Sequence, residues 1–241
     1  MKFMSLKSRC LWFVAFALSS LLFVAGCASR HSRNSDGASN GLAERVTFYA
    51  VPLRCPAAPE IGCGSKAKPL LRELERASAI DEAWLNRAGT QIAIVWAEGG
   101  SSKARRNAVE GILKKQKLAA TELSNDARPR ARSEFQSGGG WHRADAVDRL
   151  SEEEAGIIAA RLVRRVQAKA PLSETNAETL RKAATDTLKK RFLGSPEEPS
   201  RTPEQEQEAF LKAAANYLNA TELTALREAI ASGLRPLPGE Q

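Results

Sequence analysis

The chain has 241 residues, 43% of them hydrophobic and 27% charged, with a net charge of +8, a length that accommodates one or two compact domains. Two histidines, His31 and His142, are too few for a histidine-built zinc site or a Ser/His/Asp triad, and this argues against an enzyme. The basic residues are interleaved with acids, as in Arg72-Glu73-Leu74-Glu75-Arg76 and across Arg161 to Arg165, which reads as solvated faces and not as a stripe that tracks the phosphates of a nucleic acid.

The first element is a leader. Lys2, Lys7 and Arg9 precede an apolar run from Leu11 to Leu22, broken only by Ser19 and Ser20. The run is short for a membrane span and reads as the core of an export signal over residues 1–26. It closes on Val24-Ala25-Gly26-Cys27, which resembles the lipobox of bacterial lipoproteins. The resemblance implies cleavage before Cys27, lipidation of that cysteine (palmitate on a protein of the envelope), and a stable anchor, since several acyl chains hold where one does not. Ala28, in place of an aspartate, points to the outer membrane and a body facing the periplasm. A plain secretory signal and an uncleaved helix are the alternatives. Removing the three basic residues of the leader from the +8 of the whole chain leaves +5. The partners expected are the membrane, through the lipid anchor, and other envelope proteins; no nucleic acid is expected.

Residues 27–43 are rich in Ser, Asn and Gly and read as a flexible, lipidated tether. A globular domain is expected over residues 44–124. Arg45 to Val51 is β-branched and aromatic, as a strand requires. A loop with prolines and cysteines runs from Pro52 to Lys68; Leu70, Leu71, Leu74 and Ala77 then recur at helical spacing, with Pro69 near the helix start. Ile80 to Asn86 and Gln91 to Ala97 are strand-like runs joined by Arg87-Ala88-Gly89-Thr90, a short connection that predicts an antiparallel hairpin. Ser101 or Ser102 caps a second helix carrying Val109, Ile112 and Leu113, and Leu118 to Leu123 supplies a closing strand. The order βαββαβ is the ferredoxin-like plan, so the class is α+β.

Within this domain, Gly62-Cys63-Gly64-Ser65-Lys66 opens a helix, and Ile80-Asp81-Glu82-Ala83-Trp84-Leu85-Asn86 and Thr90-Gln91-Ile92-Ala93-Ile94-Val95 follow. Together they resemble the heavy-metal-associated domain of copper chaperones and mercury-binding periplasmic proteins, over about 80 residues. The resemblance implies a soft metal held by two thiolates of a Cys-x-x-Cys and passed between partners. Cys63 matches the first cysteine; Lys66 stands at the second, and an ammonium has no lone pair to offer a metal.

With Cys10 lost in the leader and Cys27 lipidated, Cys55 and Cys63 are the cysteines that remain, and Pro56 to Gly62 separates them. In an oxidising compartment such a pair invites a disulfide, closing a loop that stabilises by about 2 kcal/mol. A two-thiolate site for Cu(I) or another soft metal and a redox-active dithiol are the alternatives; otherwise no cofactor is expected.

Residues 125–146, with Pro129 and Gly138-Gly139-Gly140, read as a linker in which Phe135 and Trp141 are able to dock on a neighbouring domain. His31 and His142, in tether and linker, are expected exposed and idle. Residues 147–241 carry about four helix signatures. The first starts at Ser151, with Glu152-Glu153-Glu154 offsetting the helix dipole in its first turn, a reading preferred to a cation site. The second aligns Leu180, Ala184, Leu188 and Phe192; after the loop 195–201, Thr202-Pro203-Glu204-Gln205 opens the third and Asn219 or Thr221 the fourth. Two functions stay open: a non-enzymatic binding or scaffold lipoprotein acting through its ferredoxin-like and helical surfaces, or a soft-metal (copper or mercury) or thiol-redox protein using Cys55 and Cys63.

Overall fold

The strands follow from runs in which β-branched and aromatic residues alternate between two apolar faces. The computed structural model describes residues 45–99, 101–194 and 202–240. The leader, Cys10, Cys27, His31, the tether and the loop 195–201 lie outside the described residues. Among the described residues the fold is α+β, with a five-stranded antiparallel sheet and seven helices. The strands are β1 (Val46–Ala50), β2 (Ile80–Asn86), β3 (Gln91–Trp96), β4 (Thr121–Glu122) and β5 (Trp141–His142). Their order across the sheet is β4-β1-β3-β2-β5.

Alternation sorts two cores. On one face Tyr49, Ile80, Leu85, Ile92, Ile94 and Trp96 pack beneath α1 (Gly64–Glu75) and α2 (Ser102–Lys115), which contribute Leu70, Leu71, Leu74, Val109 and Leu113. On the other, Val46, Phe48, Ala93 and Val95 meet Ala131 and Phe135 of α3 (Arg128–Gln136). β3 is covered on both sides, so a strand that reads as a continuous apolar run lies at the centre of the sheet.

The segment expected as a linker is therefore folded. Phe135 is packed edge-on against Phe48, Trp84 and Trp141, with ring centroids 5.9, 5.8 and 5.2 Å apart. Trp141 and His142 add a strand beside β2, pairing with Asn86 and Leu85. Pro129 sits in the first turn of α3, where a proline removes no helical hydrogen bond. Aromatic burial outweighs the breaker signal of the glycines between α3 and β5.

Four further helices follow: α4 (Asp148–Gln167), α5 (Glu174–Leu193), α6 (Pro203–Ala214) and α7 (Ala220–Ala231). Ser173 caps α5; α6 and α7 open on capping boxes, Thr202 with Gln205 and Asn219 with Glu222. Their core is built from Leu162, Val166, Leu180, Leu218 and Leu226. α4 serves both halves, since its Leu150 belongs to the sheet core.

α1 begins at Gly64, inside the run expected to open a helix, with Cys63 as its N-cap and Pro69 well within it. One helix start differs from the sequence expectation. α4 begins one turn early, at Asp148, which moves Ser151 and Glu154 out of the terminus and into buried positions. Asp148 pairs with Lys68, a contact that ties the start of α4 to α1. None of the described helices is long and apolar enough to cross a membrane.

Candidate functional site

The loop after β1 carries the two cysteines into contact. Val51 and Leu53 continue along the β2–β3 turn, their amides donating to Thr90 O and Gly89 O, each at 2.9 Å. The chain then reverses. Cys55 N–H donates to Ile61 O (2.9 Å) and Cys63 N–H to Leu53 O (2.7 Å), framing a bridge between Arg54 and Gly62. Residues of equal parity share a face in such a ladder, so Cys55 and Cys63 become diagonal neighbours on one side. Ala58 and Ile61 fill the space beneath them. The turn holds the loop tightly: Gly62 N–H donates to Arg87 O at 2.7 Å, and a Cβ on Gly89 would come within 2.4 Å of Gly62 Cα.

Both cysteines are free thiols, 1% and 6% exposed, and both line a cavity of about 470 Å³. α4 contributes Glu154 to that cavity, and the segment after α7 contributes Ser232 to Arg235. Helix α4 approaches closely because the first residue of α1 is a glycine: a Cβ on Gly64 would lie 2.5 Å from Ser151 Oγ.

The electrostatics separate the two sulfurs. A hydrogen bond from Cys55 holds Cys63 as the thiolate, lowering its pKa to about 5 against the opposing cost of burial. Ser65 Oγ, 3.4 Å from Cys63 Sγ, and the amide and charge of Lys66 add to this. Cys63 closes no formal capping hydrogen bond, but its position at the N-terminus of α1 favours negative charge. Cys55 moves the opposite way. Its proton is retained by the bond to Cys63, by burial and by Glu154, despite the Ala57 amide 3.3 Å from its sulfur. The pair thus holds one proton, on Cys55. Glu154 is raised above the ordinary carboxylate range, first by burial and then by the charge on Cys63.

Two buried arginines of α4 secure the far wall. Arg161, 3% exposed, donates to Ala57 O at 2.6 Å and to Leu234 O at 2.9 Å, so one guanidinium bridges the cysteine loop and the C-terminal segment. Arg165 donates to Ser232 Oγ (2.8 Å), Arg235 O (2.6 Å) and the Glu240 carboxylate (2.6 Å). The run Arg161 to Arg165, expected as a solvated face, is at these two positions a buried clamp.

Of the residues singled out from the sequence, Cys55 and Cys63 are brought together, while Cys27 lies outside the described residues. Lys66 is exposed and acts on Cys63 through its charge and amide. His142, expected exposed, is half-buried in β5 away from the thiols, and burial lowers its pKa. Glu154, expected with Glu152 and Glu153 to offset a helix dipole in the first turn, lies instead at the thiol cavity. The signal was present: Leu150, Glu154, Ile158, Leu162 and Val166 share one face at intervals of four, so the glutamate interrupts an apolar stripe. The two sulfurs are the soft donors that adjoin each other; among the described residues no group of three or more His, Cys, Asp or Glu side chains is placed to hold a metal ion. Compared with known proteins, the chain matches no family model, no curated protein and no solved structure.

Proposed function

We propose that this chain is a lipid-anchored thiol-redox protein of the bacterial cell envelope, with Cys63 as the attacking thiol, Cys55 as the resolving thiol and disulfides of envelope partners as substrates. Of the functions the sequence left open, redox exchange is favoured by one observation: a thiolate at a helix N-terminus adjoins a second thiol that keeps its proton, and both border a cavity. A purely structural pair needs neither the charge separation nor the cavity. At neutral pH a thiol with a pKa of about 5 is almost wholly thiolate, whereas an ordinary cysteine, near 8.5, is only a few per cent ionised. Lipidation of Cys27 and loss of Cys10 with the leader would leave these two thiols to exchange with each other.

The finer fold belongs to the same reading. Strands β4-β1-β3-β2, with helices after β1 and β3, support a ferredoxin-like unit extended at one edge by β5. The loop before α1 is where the heavy-metal-associated resemblance puts its thiolates. Here the second sulfur comes from Cys55 and not from position 66, and this keeps a two-coordinate soft-metal site as the second reading.

The test is the pH dependence of alkylation on the lipidated chain, purified in detergent and mapped by mass spectrometry. Modification of Cys63 is expected to fall to half near pH 5, with Cys55 protected while Cys63 is unmodified, and glutathione redox buffers are expected to interconvert the dithiol and a Cys55–Cys63 disulfide. A Cys63 that reacts only above about pH 8, or a bond that never opens in reductant, would return the pair to a structural disulfide in a binding protein. Tight uptake of one Cu(I) without redox cycling would select the metal reading.

A further inference from the structure

Resting on the thiol-redox reading, we infer that Glu154 is the base that takes the proton from Cys55 when Cys55 resolves the mixed disulfide on Cys63. Cys55 is 1% exposed, so solvent hydroxide has poor access to its proton, and the step needs an acceptor inside the protein. Besides the thiols, the titratable side chains lining the cavity are Glu154 and Arg235, and a guanidinium is no base. Glu154 is 6% exposed, lines the same cavity as Cys55, and takes part in no ion pair among the described residues. Its neighbours on α4, Glu152 and Glu153, do: they reach Lys189 and Arg87 at the surface. Burying a carboxylate beside two thiols without an ion-pair partner is costly, and proton transfer gives that placement a use.

Cys63 thiolate attacks a substrate disulfide, forming a Cys63–substrate S–S bond and expelling one substrate thiolate. The Cys55 proton passes to the Glu154 carboxylate as Cys55 Sγ attacks Cys63 Sγ. The Cys55–Cys63 bond forms, the Cys63–substrate bond breaks, and the second substrate thiolate leaves, to be protonated by Glu154 or water. Two electrons have moved from the dithiol to the substrate. The order of events primes the base. In the resting pair, Cys63 accepts the hydrogen bond of Cys55 and its charge opposes ionisation of Glu154; once Cys63 is in the mixed disulfide both effects vanish, and the Cys55 proton is left to the carboxylate. The charged or titratable groups that line the cavity with Glu154 are the two thiols and Arg235 of the C-terminal segment, with Lys66 of α1 acting on Cys63.

Dithiobis(nitrobenzoate), which releases one chromophore at each step, separates the two rates on the full lipidated chain. In Glu154→Gln the first release is expected to match wild type within about twofold. The second is expected to slow about a hundredfold near neutral pH and to rise in proportion to hydroxide, while Glu154→Asp recovers part of the rate. A second release unchanged in rate and pH profile overturns the inference and leaves the thiol-redox reading standing. Loss of the first release as well makes Glu154 a packing residue and also overturns it. A wild-type chain that gives no second release removes both.

Discussion

Gly89→Ala is the sharpest probe of how the cysteine loop is held. Gly89 has φ +66°, and an added Cβ would meet Gly62 Cα at 2.4 Å and Leu53 O at 2.5 Å. Both are backbone atoms, so no side-chain rotation relieves the contact; the loop must lift from the β2–β3 turn, loosening the 2.9 Å bond from Leu53 N–H and the 2.7 Å bond from Gly62 N–H. Holding alanine in the left-handed region costs about 1 kcal/mol, and the forced displacement adds about 2 kcal/mol. Gly99 supplies the control. It has φ +78° with nothing within 4 Å of its would-be Cβ, so Gly99→Ala isolates the conformational part at about 1 kcal/mol. Urea unfolding, with a slope of about 2 kcal/mol per molar, should move the midpoint down by about 1.5 M for Gly89→Ala and about 0.5 M for Gly99→Ala. Cys63 should also lose part of its low-pH alkylation, since its thiolate depends on where Cys55 is held. Equal midpoints for the two variants would refute the close approach and with it the rigid loop.

Arg165→Met should free the C-terminal segment, with a loss of about 2 kcal/mol for the charged hydrogen bonds, faster cleavage of the segment after α7 by the broad-specificity protease subtilisin and faster alkylation of Cys63 as that wall departs; a segment still protected from subtilisin would contradict the clamp. Glu240 is held at about 2 by its bond to Arg165, below its ordinary 4.5. A depressed acid stabilises above its unfolded pKa and loses that contribution as pH falls toward the folded one. The stability difference between wild type and Glu240→Gln should therefore be full above about pH 5 and close by about pH 2; a difference that does not change with pH denies the ion pair. Phe135→Ala should cost about 3 kcal/mol and shift the tryptophan fluorescence of Trp84 and Trp141; an unchanged denaturation midpoint would return residues 125–146 to the status of a linker.

What the sequence made legible was what is encoded locally. β2 and the caps of α5, α6 and α7 depend on residues within a few positions of each other, and all lie where patterning puts them. Misreadings arose where a distant partner decides. Ser151-Glu152-Glu153-Glu154 has the composition of a helix start, and Asp148, three residues earlier, took that role through Lys68. Arg161 and Arg165 look like surface residues because the carbonyls and carboxylate they hold belong to residues 234, 235 and 240. Cys55 and Cys63 were legible as a pair because the loop between them is short. Their opposite protonation was not, since it is set by α1 and α4 together.

Helix α4 is where these distant effects meet. Its first turns enter the sheet core through Leu150 and rest on α1 through Ser151, its middle carries Glu154 to the thiols, and its second half sends Arg161 and Arg165 to the C-terminal segment while Leu162 and Val166 join the helical core. The sulfurs therefore belong to the sheet half, but the carboxylate beside them and the wall opposite them belong to the helical half. Cys63 keeps its low pKa from Cys55 and the start of α1, contacts made within the sheet half. Access to the cavity, and the acceptor for the Cys55 proton, depend on how the helical half docks. On the proposed redox reading, Cys63 is activated from within the sheet half, whereas access of its substrate and resolution by Cys55 both depend on α4 and on the segment Arg165 holds.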